Sequence, residues 1–166
     1  MSVTHSRTLV VYFSRSGHTR KVAEEIAARC GADLEGIQDV RGRSGIIGYW
    51  RCAREALKKT AVETRPVTKD ATGYELVILG TPVWASHLCS PMRAYLTANR
   101  GKLRQVALFC TQGGGSGAEK VFREMAELCG QRPLASVAVK DSEIKNGNYG
   151  DKLDRFLRAV ALPKAA

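Results

Sequence analysis

A run of hydroxyl-bearing residues around one glycine offers the clearest chemistry in this sequence. It reads Ser-Arg-Ser-Gly-His-Thr and lies between an apolar run and a helical pattern. The start of a helix presents unpaired N–H groups and a partial positive charge, which favour a phosphate dianion. The run therefore predicts a phosphate site formed by Ser14, Arg15, Ser16, Gly17, His18 and Thr19. The alternative is an ordinary strand-to-helix turn with Ser16 as the N-cap.

A second stretch follows another apolar run and contains one of the two tryptophans. An indole at the exit of a strand can lie flat on a planar aromatic ligand, while the neighbouring backbone bonds the edge of that ligand. The residues predicted to make these contacts are Thr81, Pro82, Val83, Trp84 and Ala85. In the alternative, Trp84 caps the core beneath the next helix. Cys89 lies close by, and nothing in the sequence assigns it a role.

A third stretch is rich in glycine and also follows an apolar run. So much glycine indicates a backbone that passes close to something or adopts positive φ, whereas the alternative is a merely flexible loop. The candidate site residues are Thr111, Gln112, Gly113, Gly114 and Gly115. Gly113-x-Gly115-x-x-Ala118 imitates a dinucleotide-binding fingerprint. It fails on position, because only one helical pattern is recognised after Asp141 and no third strand can complete that unit.

Short apolar runs alternate with amphipathic stretches along the chain, which indicates strands that alternate with helices. Strands are predicted over residues 8–13, 32–38, 74–79, 105–110 and 134–139, and helices over 19–30, 46–62, 92–98, 118–129 and 153–160. Continuous apolar strands, each followed by a helix, imply a parallel sheet that is covered on both faces. With right-handed crossovers, this predicts an α/β fold with a doubly wound five-stranded parallel sheet of order 2-1-3-4-5. Residues 1–166 are expected to form one domain.

Ligands of such sheets bind outside the carboxyl ends of the strands, where the three stretches should meet. The segment from Tyr12 to Thr19 resembles the flavodoxin phosphate signature, (Ser/Thr)-x-(Ser/Thr)-Gly-x-Thr. The segment from Gly80 to Trp84 is similar to the Gly-Thr-Pro-x-(Trp/Tyr) segment of related flavin proteins. This resemblance implies a flavodoxin-like three-layer sandwich with FMN as its cofactor. The first stretch would hold the 5′-phosphate, and the other two would line the isoalloxazine ring.

One residue departs from the flavodoxin signature. His18 stands where flavodoxins often carry Asn, so only its backbone N–H is carried over from the resemblance. Its side chain would add a pH-dependent charge beside the phosphate.

The composition is typical of a globular protein, with 44% apolar and 25% charged residues. No run approaches the about 20 apolar residues needed to span a bilayer, and residues 1–7 lack a signal-peptide pattern. The five cysteines form no Cys-x-x-Cys pair, which argues against a zinc site or a disulfide framework. We therefore expect a cytoplasmic protein without a membrane span.

The formal net charge of +10 favours anionic cofactors, substrates or partners. Residues 41–65 include seven Arg and Lys residues, which predicts a crossover helix with a solvated basic face. In a second interpretation, Ile47, Tyr49 and Trp50 lie near the flavin or at a homodimer contact, and the basic face docks an acidic partner or an anionic substrate. Nucleic acid is not expected, because the basic residues are dispersed and no recognised module is present.

The resemblance leaves three functions open. Flavodoxins proper are usually acidic, whereas a basic chain favours the anionic, fully reduced flavin and therefore two-electron chemistry. This favours an FMN-dependent oxidoreductase that acts between a nicotinamide nucleotide and a quinone-like or protein acceptor. The alternatives are a one-electron carrier and a non-redox domain that lost the cofactor. No residue is required as a general acid or base, because hydride and electron transfer belong to the flavin.

Overall fold

The computed structural model of this protein describes residues 7–39, 54 and 64–161. Its strands are β1 (Thr8–Tyr12), β2 (Asp33–Gly36), β3 (Leu76–Trp84), β4 (His87–Leu88), β5 (Gln105–Gln112) and β6 (Ser136–Lys140). Its α-helices are α1 (His18–Cys30), α2 (Ser90–Ala98), α3 (Ala118–Cys129), α4 (Asp141–Asn146) and α5 (Gly150–Ala161), with a 3₁₀ turn at Ala71–Gly73. The predicted helix over 46–62, and with it most of the basic segment, lies outside the described residues.

Five of the strands form a parallel sheet in the order β2-β1-β3-β5-β6. This confirms the predicted order 2-1-3-4-5, since β4 is an additional short strand that pairs antiparallel with β3. The register places Tyr12 opposite Gly80, and Gly80 opposite Phe109, on the three central strands. The carboxyl ends of β1, β3 and β5 therefore meet at one edge of the sheet.

Alternate residues of the central strands enter two separate cores, one on each face of the sheet. On one face, Leu9 and Leu108 belong to the core that contains residues of α2 and α3. On the other face, Val10 and Phe109 belong to the core that contains residues of α1 and α5. Burial on both faces explains why these strands read as continuous apolar runs. The result is the expected three-layer sandwich. None of the helices in the described ranges is both long and apolar enough to cross a bilayer.

The structure corrects the predicted loop after the third strand. β3 continues past Leu79 to Trp84, so Thr81 to Trp84 form a strand, and Thr111 and Gln112 likewise belong to β5. Gly80, Thr81 and Pro82 resemble loop residues by type. Their backbone instead pairs with β5 through Phe109, Cys110 and Thr111. Pairing with a neighbouring strand overrides their low strand propensity.

The prediction that only one helix follows Asp141 is wrong. The six-residue helix α4 precedes α5, and its C-cap is Gly147, whose φ of 72° suits glycine. At its start, a Glu143 carboxylate oxygen accepts a hydrogen bond from the Lys140 N–H at 2.8 Å. So short a helix offers too little apolar periodicity for recognition from sequence. The rejection of the dinucleotide-binding unit still holds, because no strand follows β6 within the described residues.

The turn between β3 and β4 contains a position where a substitution by glycine should stabilise the protein. Both central residues, Ala85 and Ser86, have positive φ, at 48° and 61°, although neither is glycine. A non-glycine residue in the left-handed region costs about 1–2 kcal/mol of stability, which a substitution by glycine would remove. The greater conformational freedom of glycine in the unfolded chain would take back up to about 1 kcal/mol of this gain. We expect Ala85→Gly to raise the free energy of unfolding by about 0.5–1 kcal/mol in urea denaturation.

The matched control is Ala159→Gly, at an exposed position within α5. It should lower the free energy of unfolding by about 1 kcal/mol, because glycine is a poor helix former. An Ala85→Gly variant that is destabilised as much as the control would contradict the argument from turn strain.

Candidate functional site

A cleft of about 230 Å³ opens at the carboxyl edge of the sheet. It is lined by Arg15, Ser16, His18, Thr19, Pro82, Val83, Trp84, Ala85, Thr111, Gln112, Gly113 and Asp141. The loop after β1 and the carboxyl-terminal ends of β3 and β5 therefore meet at one place, as the sheet topology requires. All of these residues except Asp141 belong to the set predicted from sequence. Ser14, Gly17, Thr81, Gly114 and Gly115 were also predicted, but they do not line the cleft.

The loop after β1 ends at a helix start that suits an anion. Gly17, rather than Ser16, is the N-cap of α1, and its φ of 95° is readily adopted by glycine. Its N–H donates to Ser14 Oγ at 3.1 Å, so Ser14 shapes the loop from outside the cleft. The first turn of α1 has neither a side-chain cap nor an acidic residue. The partial positive charge of the helix is therefore not offset by a neighbouring carboxylate in that turn.

Two hydroxyls join α1 to β5 at the wall of the cleft. The Oγ1 atoms of Thr19 and Thr111 are 2.7 Å apart, and both side chains are buried. A hydroxyl has one hydrogen to donate, so only one of the two is consumed by this bond. The pair can therefore donate the other hydrogen to a ligand in the cleft.

The β3–β4 hairpin forms a second wall, but its tryptophan is largely hidden. Trp84 is 7% exposed and packs edge to face on Phe13, with ring centroids 5.6 Å apart. Trp84 nevertheless lines the cleft. Its stacking on a flat ligand ring stays a prediction.

The residues behind the hairpin belong to the core. Thr81 is buried, and its hydroxyl lies 2.9 Å from the Pro82 carbonyl oxygen and 3.1 Å from the sulfur of the buried Cys89. Burial raises the pKa of Cys110, on the neighbouring strand, to about 12. That thiol stays neutral and behaves as a small apolar side chain. We find no chemical role for either cysteine.

The glycine-rich loop approaches the hairpin at its end rather than at its centre. A side chain at Gly117, where φ is 144°, would lie 3.0 Å from the Cα atom of Ser86, so this position needs glycine. The Ser86 hydroxyl also donates to the Ser116 carbonyl oxygen at 3.2 Å. At Gly114 and Gly115 a Cβ atom would meet open space. No packing within the described structure requires glycine at those two positions, which leaves room for a bound group.

Gln112 has a buried polar side-chain atom without a hydrogen bond to the described residues. Its side-chain oxygen Oε1 is buried and has no hydrogen-bond partner among the described residues. A buried acceptor without a donor costs about 1–3 kcal/mol. A ligand that brings a hydroxyl or an N–H group into the cleft would remove this cost.

Asp141 is the lining residue that the sequence reasoning missed. It begins α4 directly after β6, and its carboxylate oxygen Oδ1 lies 3.0 Å from His18 Nδ1. Both side chains are about one-third exposed, at 33% and 29%. A signal was available, since Asp141 follows the fifth parallel strand and the carboxyl ends of all these strands face the same edge. The predicted site included only three of those ends.

The sequence matches the flavodoxin family over residues 7–158, which is most of its length. The chain belongs to the flavodoxin family. Flavodoxins are FMN proteins, so membership confirms the resemblance, the fold class and the expectation of FMN as the family's cofactor. No curated protein is significantly similar to the sequence.

Solved structures of flavoproteins share this flavodoxin fold. The flavoprotein of Lactobacillus acidophilus in complex with FMN is 23% identical, with a TM-score of 0.70 over 85% of this chain and 97% of that one. A candidate flavoprotein from Bacteroides eggerthii is 20% identical, with a TM-score of 0.75 over 95% and 99% of the chains. The two-electron reduced flavodoxin of Megasphaera elsdenii is 23% identical, with a TM-score of 0.55 over 93% and 99%.

Proposed function

We propose that this flavodoxin-family chain binds FMN in the cleft and passes two electrons from a nicotinamide nucleotide to a quinone-like or protein acceptor. One observation carries the proposal: the phosphate loop, the hairpin and the glycine-rich loop line a single cleft at the carboxyl edge of the sheet. A protein of similar fold from Lactobacillus acidophilus is in complex with FMN, which supports the choice of ligand.

The phosphate end of the ligand fits the start of α1. Ser16 lines the cleft beside that helix start, and the Thr19–Thr111 pair supplies a further hydroxyl. Hydroxyl and N–H groups can together hold a dianion without a lysine. Arg15 also lines the cleft and adds positive charge. These residues bind and orient the phosphate and take no part in the redox step.

The ring end of the ligand fits between the hairpin and the glycine-rich loop. Gln112 Oε1 can accept a hydrogen bond from a ribityl hydroxyl or from an N–H of the ring. The volume of the cleft, about 230 Å³, is smaller than that of most small-molecule sites, which is about 300–1,000 Å³. We therefore expect part of the ring to lie outside the described cleft, where an electron donor or acceptor can approach it.

The charge of the chain supports two-electron rather than one-electron chemistry. Bound FMN supplies hydride and electron transfer, while the protein sets the potential of the flavin. A net charge of +10 favours the anionic, fully reduced form. We place this activity in the cytoplasm, because the sequence shows no cysteine pattern of a disulfide framework.

Stepwise reduction of the purified, FMN-loaded protein, followed by its visible spectrum, tests this function. We expect a single two-electron transition and rapid oxidation of NADH or NADPH when a quinone is present. Two resolved one-electron steps without nicotinamide oxidation would instead indicate a one-electron carrier. If the protein does not bind added FMN, it is a non-redox domain of this fold.

Ser16→Ala should weaken FMN binding. A hydrogen bond to a charged phosphate contributes about 1–2 kcal/mol, so we expect the dissociation constant to rise about five- to thirtyfold. Thr19→Ala should have an effect of the same size. Quenching of flavin fluorescence on binding gives both constants.

The matched control is Ser136→Ala, an exposed serine at the opposite end of β6. It should leave the affinity for FMN unchanged. If Ser16→Ala binds FMN as tightly as the control does, the phosphate does not lie at the start of α1.

A further inference from the structure

The phosphate end of the cleft contains a carboxylate where an anion is expected. Asp141 lines the cleft together with Ser16 and Thr19, and a dianion bound there would face a like charge. Like charges within a partly buried cleft repel each other. His18 also lines the cleft, and its Nδ1 atom is 3.0 Å from the Asp141 carboxylate. A protonated imidazole would compensate both negative groups, whereas a neutral one would leave the repulsion in place.

We propose that Asp141 and His18 together determine specificity at the phosphate subsite, so that the site takes up one proton when it binds a phosphate monoester dianion. This inference rests on the proposed function and concerns the same cleft. Asp141 keeps phosphate binding dependent on the proton of His18. Without Asp141, the start of α1 would bind the phosphate at any neutral or alkaline pH.

The other charged groups near His18 bond to other groups or line the cleft. On α1, Lys21 Nζ donates to the Ile144 carbonyl oxygen at 3.5 Å, and in the loop before α1, Arg15 lines the cleft. On α4, Glu143 pairs with Lys152 at 2.7 Å. The hairpin and β5 contribute no titratable side chain to the cleft wall. Asp141 is therefore the one carboxylate in the lining formed by the described residues.

The sign of the pH dependence follows from linkage. A proton taken up on binding makes the complex tighter at low pH and weaker as the proton is lost. Histidine changes its charge between about pH 5 and 8. The ligand's phosphate monoester, with a second pKa of about 6, is already mostly dianionic at pH 6.5 and becomes more so above it. The ligand alone would therefore bind no more weakly at higher pH, and a weakening has to come from the protein.

The test is the dissociation constant of FMN at pH 6.5, 7.5 and 8.5, with riboflavin as the matched ligand that lacks the phosphate. For the unmodified protein we expect the constant for FMN to rise about fivefold over this range, as a proton bound about ten times more tightly in the complex requires. The constant for riboflavin should stay flat. Because this comparison needs no variant, it does not depend on any variant folding.

Three variants assign the effect to the pair. His18→Gln should bind FMN more weakly at pH 6.5 and without pH dependence, since Asp141 is then left uncompensated. Asp141→Asn should bind FMN more tightly than the unmodified protein at pH 8.5. The double variant should again be independent of pH but tighter than His18→Gln. Pairwise rescue of this kind separates charge compensation from general damage to the loop.

FMN binding that is flat from pH 6.5 to 8.5 would overturn this inference alone, and so would a His18→Gln variant that keeps the full pH dependence. A pH dependence of equal size for riboflavin would also overturn it, because the phosphate would then not be involved. Failure to bind FMN at any pH would overturn the proposed function, and this inference with it.

Discussion

A Gly80→Ala variant is expected to lose about 3 kcal/mol or more of the free energy of unfolding, because the added methyl group has no room. A Cβ atom at Gly80 would lie 1.9 Å from Cζ of Phe109, with two more ring atoms at 2.3 and 2.6 Å. Phe109 is fully buried. Strand β3 is paired with β1 on one side and β5 on the other, so its backbone cannot move away. Urea denaturation monitored by circular dichroism measures the loss.

Two further variants isolate the cause of this destabilisation. Gly114→Ala, where a Cβ atom would meet open space, should change the free energy of unfolding by less than about 0.5 kcal/mol. Phe109→Leu should recover part of the loss when it is combined with Gly80→Ala, because it shortens the obstructing side chain. A Gly80→Ala protein within about 1 kcal/mol of the unmodified one would show that the sheet accommodates the methyl group easily.

A Glu124→Ala variant should lose about 3–5 kcal/mol of stability, because it leaves a buried cation uncompensated. Glu124 is 8% exposed, and its carboxylate oxygens lie 2.6 Å from Arg93 Nη2 and 3.1 Å from His87 Nδ1. The other ring nitrogen of His87 lies 3.2 Å from Lys120 Nζ. Nε of Arg93 is already buried without a hydrogen-bond partner among the described residues, so little else there can stabilise that guanidinium.

The same carboxylate joins three elements around the cleft. It ties α3 to α2 through Arg93 and to β4 through His87. We therefore expect Glu124→Ala also to weaken FMN binding, because the β3–β4 hairpin forms one wall of the cleft. Denaturation and flavin fluorescence measure the two effects separately.

The informative control removes both charges. Replacing Arg93 and Glu124 together by Met should restore most of the stability, since apolar side chains of similar volume commonly replace a buried ion pair at little cost. If Glu124→Ala costs less than about 1 kcal/mol, water reaches Arg93 and the pair contributes little to stability. A double variant as unstable as Glu124→Ala would show that packing, rather than charge, is lost.

The general architecture could be read from the sequence because it depends on local patterns. Unbroken apolar runs such as that around Leu79 require burial on both faces, and helical patterns between them require crossovers. These two facts restrict the sheet to few arrangements. The phosphate loop was equally local, since a strand, a glycine and a helix start are contiguous in the sequence. The same logic placed the third stretch at the same edge without any knowledge of distant contacts.

What failed depended on partners that lie far away in the sequence. The extension of β3 through Thr81 depends on pairing with Cys110, which local propensity does not report. The burial of Trp84 likewise depends on the distant Phe13, while the predicted contact of Trp84 with the flavin stays a prediction. The short helix α4 was too brief to show a period. The extension of β3 was therefore missed because a tertiary contact outweighed local preference, whereas α4 was missed because it is short.

The sequence by itself determined the sheet, its order and the three segments that converge at its edge, because apolar periodicity and glycine placement act over neighbouring residues. Only the tertiary structure brought Asp141 to His18, across more than a hundred residues, and closed Glu124 on Arg93 and His87. Ion pairs of this kind have no local signature, since an exposed charge and a paired charge look the same in a sequence. Their geometry comes from the packing of whole strands and helices. Variants of these ion pairs test both the stability and the ligand binding of this flavodoxin-family protein.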